Sequence, residues 1–199
     1  MSLPIAGPKL LLGEGEDEVR FFRALLRDLA IRDVQVEKYQ GKSNLGYYLR
    51  TLVALPDFGN VVSLGVTRDA DDNIGGAFQS VRSALQRAGL AVPTAPGIMA
   101  SGSPPARAFI LPDNASPGML EDLCLSSVQA HPGHSCLDVY FQCASAAGRI
   151  PSNRAKARVH AWLASEAEPE KRLGEAAAAG YWPWTNPAFA LLITFVRSL

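Results

Sequence analysis

Three times before Gly89, a short apolar run gives way through a turn to a segment whose apolar residues recur at helical spacing. Lys9 to Leu12 ends in Gly13-Glu14-Gly15 and continues into a stretch where Val19, Phe22, Leu25, Leu26 and Leu29 form one face. Arg20, Arg23 and Arg27 form the other, so this helix is amphipathic. Val34 to Lys38 leads through Gly41-Lys42-Ser43-Asn44 into a helix from about Leu45 to Leu55, which Pro56 stops. Asn60 to Val66 runs into Thr67-Arg68-Asp69-Ala70-Asp71-Asp72-Asn73, after which Phe78, Val81, Leu85 and Ala88 mark a helix face closed by Gly89. Continuous apolar strands alternating with amphipathic helices bury both faces of a parallel sheet, because parallel neighbours need a crossover to join them.

The predicted class is therefore α/β, with about four parallel strands, flanking helices and a helical C-terminal extension. Pro93 to Pro105 reads as a loop with a short edge strand at Gly97 to Ala100, before a fourth strand from Arg107 to Leu111. From His134 the pattern is helical: Leu137 to Ala147, Ser152 to Ser165 behind a serine cap, Glu170 to Ala179, and Asn186 to Leu199. A chain of 199 residues suits one domain, with a core over 1–128 and an extension over 129–199 packed on it rather than folding alone.

Nineteen basic and nineteen acidic residues cancel, which excludes the global basicity of a dedicated DNA coat. No stretch approaches the length of a membrane span, and Met1 to Pro8 lacks the basic segment and long apolar run of a signal peptide. The expectation is a cytoplasmic protein that does not engage a membrane. Cys124, Cys136 and Cys143 are odd in number and form no CxxC, which suits reduced thiols in a core or on a helix face.

Four of the five residues from Glu14 to Glu18 are acidic, and they fall where the first strand ends and the first helix begins. In open α/β sheets that edge is where ligands bind. Glu14 and Glu18 are four apart, so a helix starting at once sets them on one side of its first turn. Asp69 and Asp71 follow the third strand two apart, and extended backbone points both the same way. Left dry and unpaired, two such pairs repel one another. A hard divalent cation, Mg²⁺ or Mn²⁺, removes that cost. Each motif also has a plainer reading, as acidic residues favouring a helix dipole and as a polar turn; the coincidence at two strand ends is what points to a metal.

Glu14-Gly15 after an apolar strand, followed one α/β repeat later by a strand ending in Asp69-Ala70-Asp71, resembles the Toprim signature. Toprim domains occur in primases, topoisomerases, recombination proteins and the overcoming-lysogenisation-defect nucleases. The resemblance covers roughly residues 9 to 125, with Gly13 standing where that family usually has valine. Glu18, four residues after Glu14, and Pro117-Gly118-Met119-Leu120-Glu121-Asp122 after the fourth strand are closest to the nuclease branch. The motif order and length are also similar to a small stand-alone Toprim family of unassigned activity.

The resemblance implies a Toprim-like sheet and metal-dependent phosphoryl transfer, above all phosphodiester hydrolysis of nucleic acid. On that reading Glu14, Asp69 and Asp71 hold Mg²⁺ or Mn²⁺, and Glu18 and Glu121 complete a second site. Lys156 stabilises the charged transition state, and Glu14 serves alternatively as general acid or base. Glu121 reads equally well as a first-turn residue with a favourable charge. The alternative function is a non-catalytic Mg-dependent nucleotide or nucleic-acid binding or regulatory module, which the balanced charge favours. A third keeps the fold as a scaffold for protein partners.

Arg149, Arg154, Lys156 and Arg158 form a basic stretch with no acid before Glu166, but alternate positions cannot share one helix face, so part of it is solvated surface. Lys42 lies near a helix start and is a candidate phosphate ligand, without the spacing of a P-loop. His131 and His134 lack two further zinc ligands and suit a cap or surface loop. Tyr181-Trp182-Pro183-Trp184 offers rings for base stacking, with packing the commoner use of such a cluster.

Overall fold

The computed structural model describes residues 5–199, so Met1 to Pro4 of the opening segment lie outside the described residues. Strands β1 (Lys9–Gly13), β2 (Val34–Lys38), β3 (Ser63–Asp69) and β4 (Ala106–Leu111) form one parallel sheet in the order β2-β1-β3-β4. The protein is α/β, as the strand–helix alternation predicts. Successive strand residues point to opposite faces, and here both faces are covered. Leu10, Leu12, Leu64, Val66, Ala108 and Ile110 pack with α2 (Leu45–Val53) and α3 (Ile74–Arg87). Leu11, Val36, Phe109 and Leu111 join a second core with α1 (Glu16–Asp28) and α4 (Leu120–Ser127). The same core takes in α6 (Arg154–Leu163), α7 (Leu173–Ala178) and α8 (Ala190–Arg197), and α5 (His134–Ala146) adds Leu137 to it.

The third strand starts and ends three residues later than its apolar run suggests. Pro56 opens a 3-10 turn that lasts to Asn60, and the ladder with β4 then continues through Thr67, Arg68 and Asp69 to Leu111. Polar residues thus occupy the last rungs, at the carboxyl edge of the sheet. The expected edge strand over Gly97 to Ala100 is reduced to one bridge between Ala100 and Ala106. Helix α6 is capped by Asn153 rather than Ser152: its Oδ1 accepts the Lys156 N–H at 2.9 Å.

The aromatic loop is packing. Trp182 is buried and donates its indole N–H to the Leu173 carbonyl at 3.2 Å, while Trp184 meets Phe21 and Phe189 at ring separations of 5.1 and 5.2 Å. His131 lies edge-on to Trp162, and the three cysteines are unpaired, Cys124 buried and the other two exposed. Among the described residues no helix is long and apolar enough to cross a membrane.

Helix α7 lies against α1 with no side chain between them at Gly174. A Cβ there would sit 2.6 Å from the Asp17 carbonyl oxygen and 2.7 Å from the Arg20 Cβ. The contact is framed by Arg20 paired with both Glu16 and Glu175, and by Arg27 donating to the Ala178 carbonyl. Overpacking at a contact with rigid main chain typically costs about 1–3 kcal/mol. Gly174→Ala is expected to lower the free energy of unfolding by that much, seen as a lower urea midpoint at unchanged slope; a midpoint equal to wild type would show that α1 and α7 are free to separate.

Candidate functional site

The acidic residues meet at the carboxyl end of β1 and β3, neighbours at the centre of the sheet. Glu14 follows β1 directly, Glu18 stands in the first turn of α1, and Asp69 is the last residue of β3. One carboxylate oxygen from each lies within 4.8 Å of the other two. The helix does not begin at Glu14 as a shared first turn requires; Gly15 is its N-cap. What joins the two glutamates instead is a backbone bond, the Glu14 N–H donating to Glu18 Oε2 at 2.6 Å. Gly13 permits it, since a Cβ at that position would come within 3.0 Å of the same oxygen.

Glu18, which is buried, and Asp69, which is half-buried, are each oriented through one oxygen. Glu18 Oε2 takes the Glu14 N–H and lies 3.4 Å from the Thr67 hydroxyl, which donates more closely to the Leu12 carbonyl at 3.1 Å. Asp69 Oδ1 accepts the Leu120 N–H at 3.0 Å, at the start of α4. The second oxygen of each has no hydrogen bond among the described residues and is available to a ligand. Burial and the neighbouring Asp69 push the Glu18 carboxyl well above its ordinary range, against the opposing pull of the Glu14 N–H. Burial, then Glu121 and Glu14, push Asp69 up to about 7. Burial also raises Glu121, with Lys156 opposing.

Glu121 and Lys156 line the same recess, a cavity of about 190 Å³, with Asp17 and Leu173. Lys156 Nζ stands 3.9 Å from Glu121 Oε1, and α6 is therefore folded back over the sheet edge. Glu18 belongs with Glu14 and Asp69 in one cluster rather than with Glu121 in a separate site. Asp71 does not join it. Its φ of 50° leaves the extended backbone on which parallel carboxylates depended, its main chain exchanges two hydrogen bonds with Gly118, and its carboxylate pairs with Lys42 at 2.6 Å. Lys42, read as a phosphate ligand, is thus engaged by an acid.

Four contributors escaped the sequence reading. Thr67 and the Leu120 N–H act on carboxylates distant in sequence, and Arg172 with His160 lines a second recess that shares Glu121, Lys156 and Leu173 with the first. Only Asp17 had a signal, as part of the acidic run. A cavity of about 660 Å³ lies apart from the carboxylates, between α5 and α6.

Raised folded-state values set the sign of a pH effect. A carboxyl that holds its proton more tightly folded than unfolded stabilises the fold below its ordinary range near 4 and loses that contribution as pH rises through about 7. In metal-free protein the contribution of Asp69, on the order of 3 kcal/mol, should therefore be lost between pH 4 and pH 8. Asp69→Asn, which keeps an oxygen for the Leu120 N–H, is expected to flatten that slope and to melt above wild type at pH 8. An unchanged slope, measured by chemical denaturation in EDTA, would place the strain elsewhere.

No curated protein and no solved structure matches this chain. A family described as "Protein of unknown function (DUF3226)" matches residues 8–199, the sheet together with all the C-terminal helices, and the chain belongs to that family.

Proposed function

We propose that this protein is a Toprim-like enzyme of metal-dependent phosphoryl transfer, hydrolysing phosphodiesters of nucleic acid with Mg²⁺ or Mn²⁺. The observation that carries the reading is the cluster of Glu14, Glu18 and Asp69 at the carboxyl edge of the parallel sheet. The donor set fits a hard divalent cation: all oxygen, all carboxylate, with the buried Glu18 and the half-buried Asp69 each having one oxygen fixed by a backbone N–H. Such a cation, when bound, supplies Lewis acidity that lowers the pKa of a coordinated water and neutralises charge on the leaving oxygen.

The chain's own groups divide the remaining work. Glu18 and Asp69 would hold the cation from the floor of the recess. Glu14, half-buried, is the member placed to pass a proton to or from solvent. Lys156, more than half exposed, brings a cation to the rim, where charge grows on a phosphate oxygen. Glu121 faces that amine and would accept a second cation only by giving up the pair. Asp71 and Lys42 neutralise one another beside the recess.

Two measurements test this reading. Incubating pure protein with mixed nucleic acids and Mn²⁺ should give cleavage that Glu14→Gln abolishes. Calorimetry should show Mn²⁺ heats lost in Asp69→Asn and nearly unchanged in Asp71→Asn, and Mn²⁺ should raise the melting temperature of wild type by mass action. Lys156→Ala is expected to keep Mn²⁺ affinity while losing about 100- to 1000-fold in turnover, the usual cost of one preorganised donor. Metal binding without cleavage of any nucleic acid would make the protein a binding module; Mn²⁺ heats indifferent to Asp69→Asn would remove the metal.

A further inference from the structure

The recess does not end at Lys156. Its neighbour shares Lys156 and Glu121 with it and reaches His160 and Arg172; His160 in turn lines the large groove between α5 and α6. One turn of α6 thus joins the carboxylate cluster to a cavity of about 660 Å³, within the usual range for a site that holds an organic ligand. The groove is apolar and aromatic inside, with Tyr140, Phe141 and Ile150 among its walls, and cationic at its mouth, with Arg149.

Its walls are set firmly. Arg158 pairs with Asp138 of α5 at 2.8 Å and lies over the Phe141 ring, so it ties the two helices together instead of facing a ligand. Tyr140 and Ile150 remain 59% and 77% exposed, large apolar surfaces open to whatever enters. Arg149, Arg154 and Arg172 have no ion-pair partner among the described residues. An unpaired arginine in the same lining as an exposed ring, Arg149 with Tyr140, suits an anionic chain that carries flat apolar groups. A second copy of this protein suits the face poorly, because a two-fold contact sets each patch against itself and would bring Arg149 toward its own mate.

We propose that the α5–α6 groove binds unpaired bases of a single-stranded nucleic acid, whose backbone passes Arg149 and His160 toward the carboxylate recess. Bases stack on Tyr140 and against Ile150, which a duplex with its bases turned inward cannot offer. The inference rests on the phosphodiester reading of the recess and narrows its substrate to a strand of several nucleotides. Free mononucleotides would span only one end of the path.

Fluorescence anisotropy in EDTA separates the groove from the metal chemistry. The probe is a short fluorescein-labelled oligothymidylate, alone or annealed to oligoadenylate. The single strand is expected to bind more tightly than the duplex, and Tyr140→Ala to weaken it about tenfold or more. Arg149→Ala should also lower the salt slope by about one phosphate contact. Both variants should keep wild-type melting temperature and Mn²⁺ heats. Single-strand binding that persists while Mn²⁺ heats ignore Glu14→Gln would uphold the groove and discard the metal reading. Equal affinity for duplex, an unchanged affinity in Tyr140→Ala, or a dimer that Tyr140→Ala dissociates in light scattering would overturn the proposal.

Discussion

A carboxylate taken out of water keeps its charge only where donors or a cation replace the water, and Glu18 is placed under that demand. Its firm donor is the Glu14 N–H; the Thr67 hydroxyl leans toward Leu12 instead. Asp69 and Glu121 share the same desolvated surroundings. Much of the edge follows from that shortage of donors. Gly13 leaves space for the glutamate to turn back, β3 extends far enough to set Asp69 beside it, and Leu120 offers Asp69 the first N–H of α4. Without a cation such a group of acids holds protons, so the charge of the edge depends on what is bound there.

The Lys156 amine is positioned by the seating of its helix more than by its ion pair. Asp69 grips Leu120; the preceding residue, Met119, accepts the Asn153 amide at its sulfur; and Asn153 caps the turn of α6 that carries Lys156. This sequence of short links sets the helix against the strand end even though the Lys156–Glu121 pair, at 3.9 Å and half in solvent, contributes little on its own. Helices of the C-terminal extension thereby belong to the site as much as to the core, since Leu173 lines the recess and the Gly174 contact holds α7 against α1.

Architecture was legible because its signals are periodic: three strand–helix alternations and a fourth strand are written in apolar spacing, and parallel pairing follows from them. Glu14, Glu18 and Asp69 were legible because they stand at strand ends, where topology alone brings them together. Asp71 was misread for a local reason. Spacing of two implies a common direction only while the backbone stays extended, and a positive φ at Asp71 breaks that premise in a way no residue type announces. The end of β3 was misjudged because apolar alternation stops at Val66, whereas the hydrogen-bond ladder, which is indifferent to side chains, runs on. Long-range partners, such as Leu120 for Asp69 or Asn153 for Met119, lie far apart in the chain and carry no local mark at all.

The packing of α7 on α1 joins residues 155 positions apart, as Arg20 and Glu175 show. During synthesis the apolar side of α1, with Phe21 and Phe22, is made early and its cover late. At about 5–20 residues per second the interval is roughly 10–30 s. Through that time the nascent sheet presents an uncovered greasy face together with a ring of acids not yet given their lysine. Whatever shields the first while it waits has no use for the second, and the recess gains its full lining only as the last helices close.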